Sequence, residues 1–193
     1  GSIEYYGEKE VLDIGVKQDS HWRLWTGEDV AATVLKRHGG ANKGTFGTGL
    51  LVAGNDEMPG SAVLASLGAM RAGIGKLMVA TSKMARGIIA GRVPECTYMH
   101  KGLKGLAHGF IPDGINAVAI GPGLDDEEMI EQALQTLFKS SLPLVLDAGA
   151  LSKRMYPARE AATIVTPHPK EFSRMTGLSV EEIQHNRLDA ASA

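Results

Sequence analysis

The sequence has a single cysteine, few aromatic residues and no large excess of either charge. Cys96 cannot form an internal disulfide, and no cysteine–histidine cluster has the spacing of a structural zinc site. A formal net charge of −2 offers nucleic acid or an anionic membrane no overall attraction. No apolar run approaches the length of a membrane span, and no charged start precedes a signal-type apolar core. These absences predict a reducing, cytoplasmic setting, with neither nucleic acid nor membrane as a partner.

What the sequence does have is glycine and apolar side chains. The 193 residues include 24 glycines, and 44% of the chain is hydrophobic, which is enough to bury a sizeable core. Many glycines indicate tight turns and places where the backbone comes close to another group. We expect residues 1–21 to form an N-terminal extension and residues 22–193 to form one domain.

From residue 49 onward, apolar stretches alternate with glycine-bearing turns and amphipathic helices. Helices are predicted after Thr26, which would cap the first of them, and from Ser179. Apolar strands alternating with helices indicate a parallel sheet covered on both faces, so the expected fold class is a three-layer α/β/α, doubly wound, mostly parallel sheet. The predicted strands are 10–16, 49–53, 76–80, 96–99, 115–120, 143–146 and 162–165, and the other predicted helices are 59–72, 83–92 and 125–138.

In doubly wound folds, ligands bind beyond the carboxyl ends of the strands, so the residues that follow each strand are candidates for chemistry. Gly54 and Gly60 follow the first core strand, where exposed N–H groups could bind an anion or a carbonyl. Gly121-Pro-Gly123 predicts a rigid turn that could lie flat against a substrate. Each of these motifs also fits an ordinary strand-to-helix loop.

Two ionisable side chains also stand at strand ends. The carboxylate of Asp147 could hold Mg²⁺ through water, accept from a substrate hydroxyl or cap the following helix. His168 lies between two prolines, which stiffen the backbone and position the ring, and Glu171 lies within reach of the same cleft. His100 and His108 lie in polar, turn-rich stretches, are expected to be solvated, and are given no role.

Five short segments, taken in order, carry a family resemblance. They are similar to segments of the ribokinase-like NAD(P)H-hydrate dehydratases, and the resemblance runs from residue 24 to the end of the chain. Ahead of it, residues 5–16 resemble the closing strand of the NAD(P)H-hydrate epimerase domain that is fused to the dehydratase in some organisms. The five segments are NKGTFG (42–47), AGNDEMPG (53–60), AIGPGL (119–124), LDAGAL (146–151) and TPHPKEF (166–172).

The resemblance implies a set of substrate-binding residues. Ser61, Gly123 and His168 match positions that contact the hydrated dinucleotide, and Asp147 lies in the same cleft. Ser61 replaces a common alanine, and Asn42 replaces a common histidine, which affects a loop contact. Further candidates within the same motifs are Asn55, Gly60, Gly121 and Glu171.

The resemblance also implies a reaction. ADP or ATP, with Mg²⁺, would phosphorylate the hydroxyl of the hydrated nicotinamide ring of NADHX or NADPHX, and loss of phosphate would regenerate NADH or NADPH. Family members carry a nucleotide loop and a Gly-Thr-Gly-Asp motif with the catalytic base further along the chain. On this interpretation the chain is C-terminally truncated at Ala193, contains no catalytic residue and is inactive alone. The complete protein is expected to be a homo-oligomer.

Two other functions remain open from the residues alone. A ribokinase-like kinase of vitamin precursors, such as hydroxymethylpyrimidine or hydroxyethylthiazole, would share the fold. A non-catalytic binding or assembly module would use the small residues of 61–72 to pack against a neighbouring helix. The TPHP segment and the Met-Pro-Gly loop favour the dehydratase.

Overall fold

A computed structural model describes residues 23–34 and 39–192 of the chain. The chain divides into two compact units, Gly1–Gly39 and Gly40–Ala193. The strand predicted at 10–16, and with it the predicted epimerase remnant, lies outside the described residues. The predicted domain boundary after residue 21 stays a prediction.

The first unit contains helix α1 (Gly27–Thr33), which begins where the sequence predicted a capped start. The Thr26 hydroxyl accepts from the backbone N–H of Asp29, and the Asp29 carboxylate accepts from the backbone N–H of Thr26. This reciprocal capping box satisfies two of the amide groups that a helix start leaves unpaired.

The second unit contains the sheet and the other helices. The predicted strands and helices of this unit are confirmed to within a few residues at their ends, except that the helix predicted from Ser179 is divided in two at Asn186. The helices Gly102–Ala107 and Pro169–Thr176 were not predicted. Its elements in chain order are β1 (Thr48–Val52), α2 (Pro59–Ala72), β2 (Lys76–Ala80), α3 (Lys83–Ala90), β3 (Thr97–Tyr98), α4 (Gly102–Ala107), β4 (Ala117–Ile120), α5 (Glu127–Phe138), β5 (Leu144–Leu146), a 3₁₀ turn (Ala148–Ala150), β6 (Thr163–Val165), α6 (Pro169–Thr176), α7 (Val180–His185) and α8 (Arg187–Ser192).

The six strands form one parallel sheet in the order β3-β2-β1-β4-β5-β6. The chain starts at β1, moves outward through β2 to β3, then returns to the other side of β1 and moves through β4 and β5 to β6. The direction of winding therefore reverses between β1 and β4. This arrangement confirms the predicted doubly wound α/β fold.

Alternate side chains of each strand pack on opposite faces of the sheet. In β1, Leu50 and Val52 belong to the core cluster that also contains Leu106 of α4 and Leu134 of α5. Leu51, on the other face, belongs to the second cluster, with apolar residues of α2 and α3. Both faces of the central strands are thus buried, which explains why these strands are apolar almost throughout. None of the helices within 23–34 and 39–192 is long and apolar enough to cross a membrane.

One arginine ties the edge strand β6 to the end of α5. The guanidinium of Arg159 donates to the carbonyl oxygens of Ser140 at 2.7 Å, Leu142 at 2.8 Å and Phe138 at 3.2 Å. It also donates to the Thr163 hydroxyl at 2.9 Å. Carbonyl groups at a helix C-terminus lack intrahelical partners, so a cation that bonds several of them stabilises the helix end. The same contacts fix the start of β6, the strand that leads to His168.

Candidate functional site

The residues after β1, β4, β5 and β6 meet at the C-terminal edge of the sheet. The parallel ladder continues one residue past each strand, with Gly121 N–H donating to Val52 O and Asp147 N–H donating to Ile120 O, both at 3.0 Å. The β1 and β4 loops flank the point where the winding reverses, which is where doubly wound proteins bind ligands. The fold therefore brings the predicted loops together at one edge.

The loop after β1 is shaped by Gly54 and Asn55. Gly54 has φ +75°, donates its N–H to Pro122 O at 2.8 Å, and accepts from the Thr81 hydroxyl at 3.2 Å. The side-chain oxygen of Asn55 accepts from the backbone N–H groups of Glu57 and Met58 at 3.0 and 2.6 Å. Asn55 thus builds the turn that leads into α2, and its amide NH₂ remains available as a donor.

Ser61 and Gly123 are in direct contact. A Cβ atom on Gly123 would lie 2.8 Å from Ser61 Cβ and 2.9 Å from Met58 O, and the φ of Gly123 is +67°. Both the space and the backbone conformation therefore require glycine at this position. The start of α2 has Pro59, which has no N–H, at its first position, and the Ser61 N–H donates to Met58 O at 3.3 Å. The Gly60 N–H is therefore the amide of this first turn that stays open to a ligand.

Gly121 packs against the loop after β5. A Cβ atom on Gly121 would overlap the carbonyl oxygen of Asp147 and lie 3.0 Å from Ala150 Cβ. A Cβ atom on Gly149 would in turn overlap the carbonyl oxygen of Leu124. The two loops are therefore in backbone-to-backbone contact, and this contact sets the position of Asp147 relative to Gly123.

Asp147 accepts a hydrogen bond from Thr166. The Thr166 hydroxyl donates to Asp147 Oδ1 at 2.9 Å, and Asp147 makes no side-chain bond to the 3₁₀ turn that follows it. Asp147 therefore does not cap the helical turn that follows it, and that alternative from the sequence is wrong. With one oxygen held by Thr166, the other can accept from a ligand hydroxyl or coordinate a cation.

A cavity of about 400 Å³ extends along the central strands and reaches this edge. Asp147, Thr166 and Pro122 line its C-terminal end, and apolar residues of the sheet and of α2 line the remainder. An apolar cavity with a few polar groups at one end is typical of small-molecule sites. His168 lies outside its lining.

His168 begins α6 and acts as its cap. Its Nδ1 accepts from the backbone N–H groups of Lys170 and Glu171 at 3.2 and 3.3 Å. Nε2 lies 3.2 Å from Glu171 Oε1, and the His168 backbone N–H donates to Glu171 Oε2 at 2.8 Å. The side chain of His168 is 59% exposed, whereas that of Glu171 is 9% exposed. The ring is therefore fixed as an N-cap by a buried carboxylate, while its face remains open to a ligand.

One of the five resemblance-bearing segments and the single cysteine lie away from this edge. The segment 42–47 precedes β1 and packs at the N-terminal edge of the sheet, where a Cβ atom on Gly75 would overlap Lys43 O. Cys96 lies at the start of β3, also at the N-terminal edge, and burial raises the pKa of its thiol above the usual range. Asn42 is therefore a turn residue here, bonding Gly44 N–H at 2.8 Å, and Cys96 stays protonated at neutral pH.

The structure unites most of the predicted residues and adds two that sequence reasoning missed. Ser61 with Gly123, and Gly121 with Asp147, are in contact, whereas the ring of His168 bonds only its own helix in the described part of the chain. Thr166 and Thr81 have no predicted role, yet their hydroxyls bond Asp147 and Gly54. The sequence feature that could have identified both threonines is their position immediately after a strand.

The described residues contain no group of three or more His, Cys, Asp or Glu side chains arranged to hold a metal ion. A Mg²⁺ ion that accompanies a nucleotide needs only one or two protein carboxylates, because phosphates and water supply its other ligands. Asp147, with one free carboxylate oxygen at this edge, fits that smaller requirement.

The backbone contact of Gly121 predicts a large effect on stability. Gly121→Ala should lower the free energy of unfolding by about 3 kcal/mol or more, because the added methyl group cannot coexist with the Asp147 carbonyl. Urea unfolding would measure the change. Gly60→Ala is the matched control: its Cβ would meet nothing within 4 Å, and in helix α2 it should leave stability unchanged or raise it by up to about 1 kcal/mol. Equal losses in both variants would contradict this account of the site.

Comparison with known proteins agrees with this geometry. Residues 49–193 match the family model for NAD(P)H-hydrate dehydratase. The ADP-dependent (S)-NAD(P)H-hydrate dehydratase of Bacillus subtilis (strain 168) is 48% identical over 168 residues, which cover 87% of this chain and 61% of that protein. The chain therefore spans about 60% of the length of this relative.

Two solved structures define the fold more closely. The ADP/ATP-dependent NAD(P)H-hydrate dehydratase from Bacillus subtilis, co-crystallized with ATP/Mg²⁺, matches with a TM-score of 0.83 and 48% identity over 86% of this chain and 60% of that chain. A ribokinase-like superfamily protein from Enterococcus faecalis V583 matches with a TM-score of 0.64 and 21% identity over 81% of this chain and 56% of that chain, which shows the fold alone. The sheet is thus ribokinase-like, and the chain belongs to the NAD(P)H-hydrate dehydratase family.

Proposed function

We propose that the C-terminal edge of the sheet binds hydrated NAD(P)H and that the protein dehydrates it at the expense of ADP or ATP. The observation that carries the proposal is the contact of Ser61 with Gly123, next to Asp147, at the point where the winding reverses. These are the residues that the family resemblance assigns to the dinucleotide.

Within this reaction, the described residues bear on how the dinucleotide is bound. The chain spans about 60% of the Bacillus subtilis relative, and the activity in that relative's name belongs to the longer protein. The expectation that this chain has no catalytic residue and no activity by itself stays a prediction. Binding of the hydrated dinucleotide is the part of the function for which the described residues supply a site.

Each residue of the site would make a different kind of contact with the dinucleotide. The glycine at 123 lets its turn pack directly on Ser61 and Met58, and the N–H of Gly60 at the start of α2 can donate to a carbonyl or phosphate oxygen. Asp147, oriented by Thr166, accepts from the hydroxyl that distinguishes the hydrate from NADH. His168 packs its exposed ring against the ligand while Glu171 holds it in place.

The role of the nucleotide follows from leaving-group chemistry. Hydroxide leaves carbon poorly, whereas phosphate leaves readily, so transfer of a phosphoryl group to the ring hydroxyl makes elimination to NADH or NADPH feasible. The structural relative was co-crystallized with ATP/Mg²⁺. Mg²⁺ bound with the nucleotide would neutralise phosphate charge, with Asp147 as the candidate carboxylate ligand in this part of the chain. A cytoplasmic homo-oligomer is the assembly we propose for the whole protein.

The Asp147 assignment predicts a change in the preference between hydrate and NADH. Asp147→Asn keeps the acceptor for Thr166 but should weaken binding of NADHX by about tenfold or more, since a hydrogen bond to a charged group is lost. The affinity for NADH should change little, because NADH has no such hydroxyl. Isothermal titration calorimetry with both ligands would measure the two affinities. Asp113→Asn, at an exposed loop position before β4, is the control and should alter neither. No binding of NADHX by the unmodified chain would overturn the proposed function.

Because His168 caps α6, a test of its role in binding needs a variant that keeps the helix cap but removes the imidazole ring. Asn is among the best N-cap residues, so His168→Asn should preserve α6 while removing the imidazole. We expect this variant to keep its unfolding midpoint and to bind NADHX several-fold more weakly. His168→Ala should lose both properties, with a stability cost of about 1 kcal/mol. Full NADHX affinity in His168→Asn would remove the ring from the binding site and leave it only its capping role.

A further inference from the structure

A second cleft lies along helix α4, and no sequence motif assigns it a function. It has a volume of about 640 Å³, and its lining contains four basic side chains and one aromatic ring, but no acid. The lining residues are His100, Lys101, Lys104, Gly105, His108 and Phe110. In the described part of the chain, none of these basic side chains forms an ion pair with a carboxylate within 4.0 Å. The cleft is therefore a built cavity with uncompensated positive charge.

The backbone at the mouth of this cleft is strained. Lys101 has φ +63°, a left-handed conformation that costs a residue with a side chain of order 1 kcal/mol. A Cβ atom on the next residue, Gly102, would lie 2.9 Å from Thr81 O, so the turn is pressed against the loop after β2. Glycine or asparagine would fit the position of Lys101 with less strain.

A series of direct contacts links the start of α4 to the candidate dinucleotide edge. Gly102 packs on Thr81, the Thr81 hydroxyl donates to Gly54 O, and Gly54 N–H donates to Pro122 O in the turn that carries Gly123. A ligand that extends from Gly123 across the loops after β1 and β2 would therefore reach Lys101. NAD(P)H hydrate is such an extended ligand, with a nicotinamide half and an adenosine half joined by a diphosphate.

We propose that the α4 cleft binds the adenosine half of the dinucleotide, with Lys101 and Lys104 on its phosphates and Phe110 against the adenine. Phe110 is 54% exposed, which leaves a ring face open for stacking. The ring of His108 is held by the contact of its Nδ1 with Lys104 O at 2.6 Å. Gly105 forms the floor, since a Cβ atom there would lie 2.9 Å from Met99 Cε and 3.6 Å from Lys101 Cβ. This assignment rests on the proposed function and extends it to the other end of the substrate.

Calorimetric titrations of the chain with separate parts of the dinucleotide test the assignment. ADP-ribose carries the adenosine and both phosphates, whereas nicotinamide mononucleotide carries the other half. The double variant Lys101→Asn/Lys104→Gln should weaken ADP-ribose and NADHX by about tenfold, the effect of removing two exposed charges, and leave nicotinamide mononucleotide unchanged. Lys76→Gln, an exposed lysine at the opposite edge of the sheet, is the matched control and should change none of the three affinities.

Thermal unfolding of Lys101→Asn separates a functional role from a structural one. Because asparagine tolerates the left-handed conformation, the variant should melt at the same temperature or higher while it binds ADP-ribose more weakly. Lower stability together with weaker binding would indicate that Lys101 serves the fold and would overturn the assignment. So would unchanged affinity for ADP-ribose in the double variant.

The same titrations distinguish this assignment from its alternatives. Weakened ATP binding with intact ADP-ribose binding would place the co-substrate in the cleft and overturn the assignment to the dinucleotide. Intact NADHX binding in the double variant, with loss in Asp147→Asn, would refute the α4 cleft but keep the proposed function. An absence of NADHX binding in the unmodified chain would refute the proposed function, and ADP-ribose binding by the cleft would then stand as adenosine phosphate recognition alone.

Discussion

The close approach of Gly121 to the carbonyl of Asp147 is the contact on which the candidate site depends. It joins the loops after β4 and β5 through their backbones, with no side chain between them. Backbone contacts of this kind transmit position more strictly than side-chain contacts, because the backbone has few alternative conformations. Once this contact is set, the positions of Gly123 against Ser61 and of Asp147 beside Thr166 follow from the parallel register of β1, β4, β5 and β6.

Much of the fold was predictable because the signals that specify it are local. The central strands are apolar on both faces, as parallel strands buried between helices must be, and glycines or prolines mark most of their ends. The caps of α1 and α7 were visible as Thr26 and Ser179 in front of acidic residues. The short helices α4 and α6 were missed, since α4 has no capping side chain at its start and α6 begins inside a proline-containing segment that also fits a loop.

The candidate site was only partly predictable, since its contacts join residues far apart in the chain. Sequence position placed Asp147 and His168 at strand ends, but the Thr166 hydroxyl bond to Asp147 requires the pairing of β5 with β6. The capping role of His168 depends on the Glu171 carboxylate folding back on it, which the proline-flanked motif does not reveal. The basic character of the α4 cleft was hidden for a similar reason: its residues are spread over 100–110 among apolar and glycine positions and converge only on one helix face.

The central claim is that the C-terminal edge of the sheet recognises the hydrated dinucleotide. The most direct test is amide NMR of the isotopically labelled chain, titrated with NADHX and, separately, with NADH. The account predicts that both ligands change the amide chemical shifts of Ser61 and Gly123. Only NADHX should change those of Asp147 and Thr166, because its ring hydroxyl donates a hydrogen bond to Asp147. Shifts confined to the N-terminal edge around residues 42–47, or identical shifts with both ligands, would contradict it.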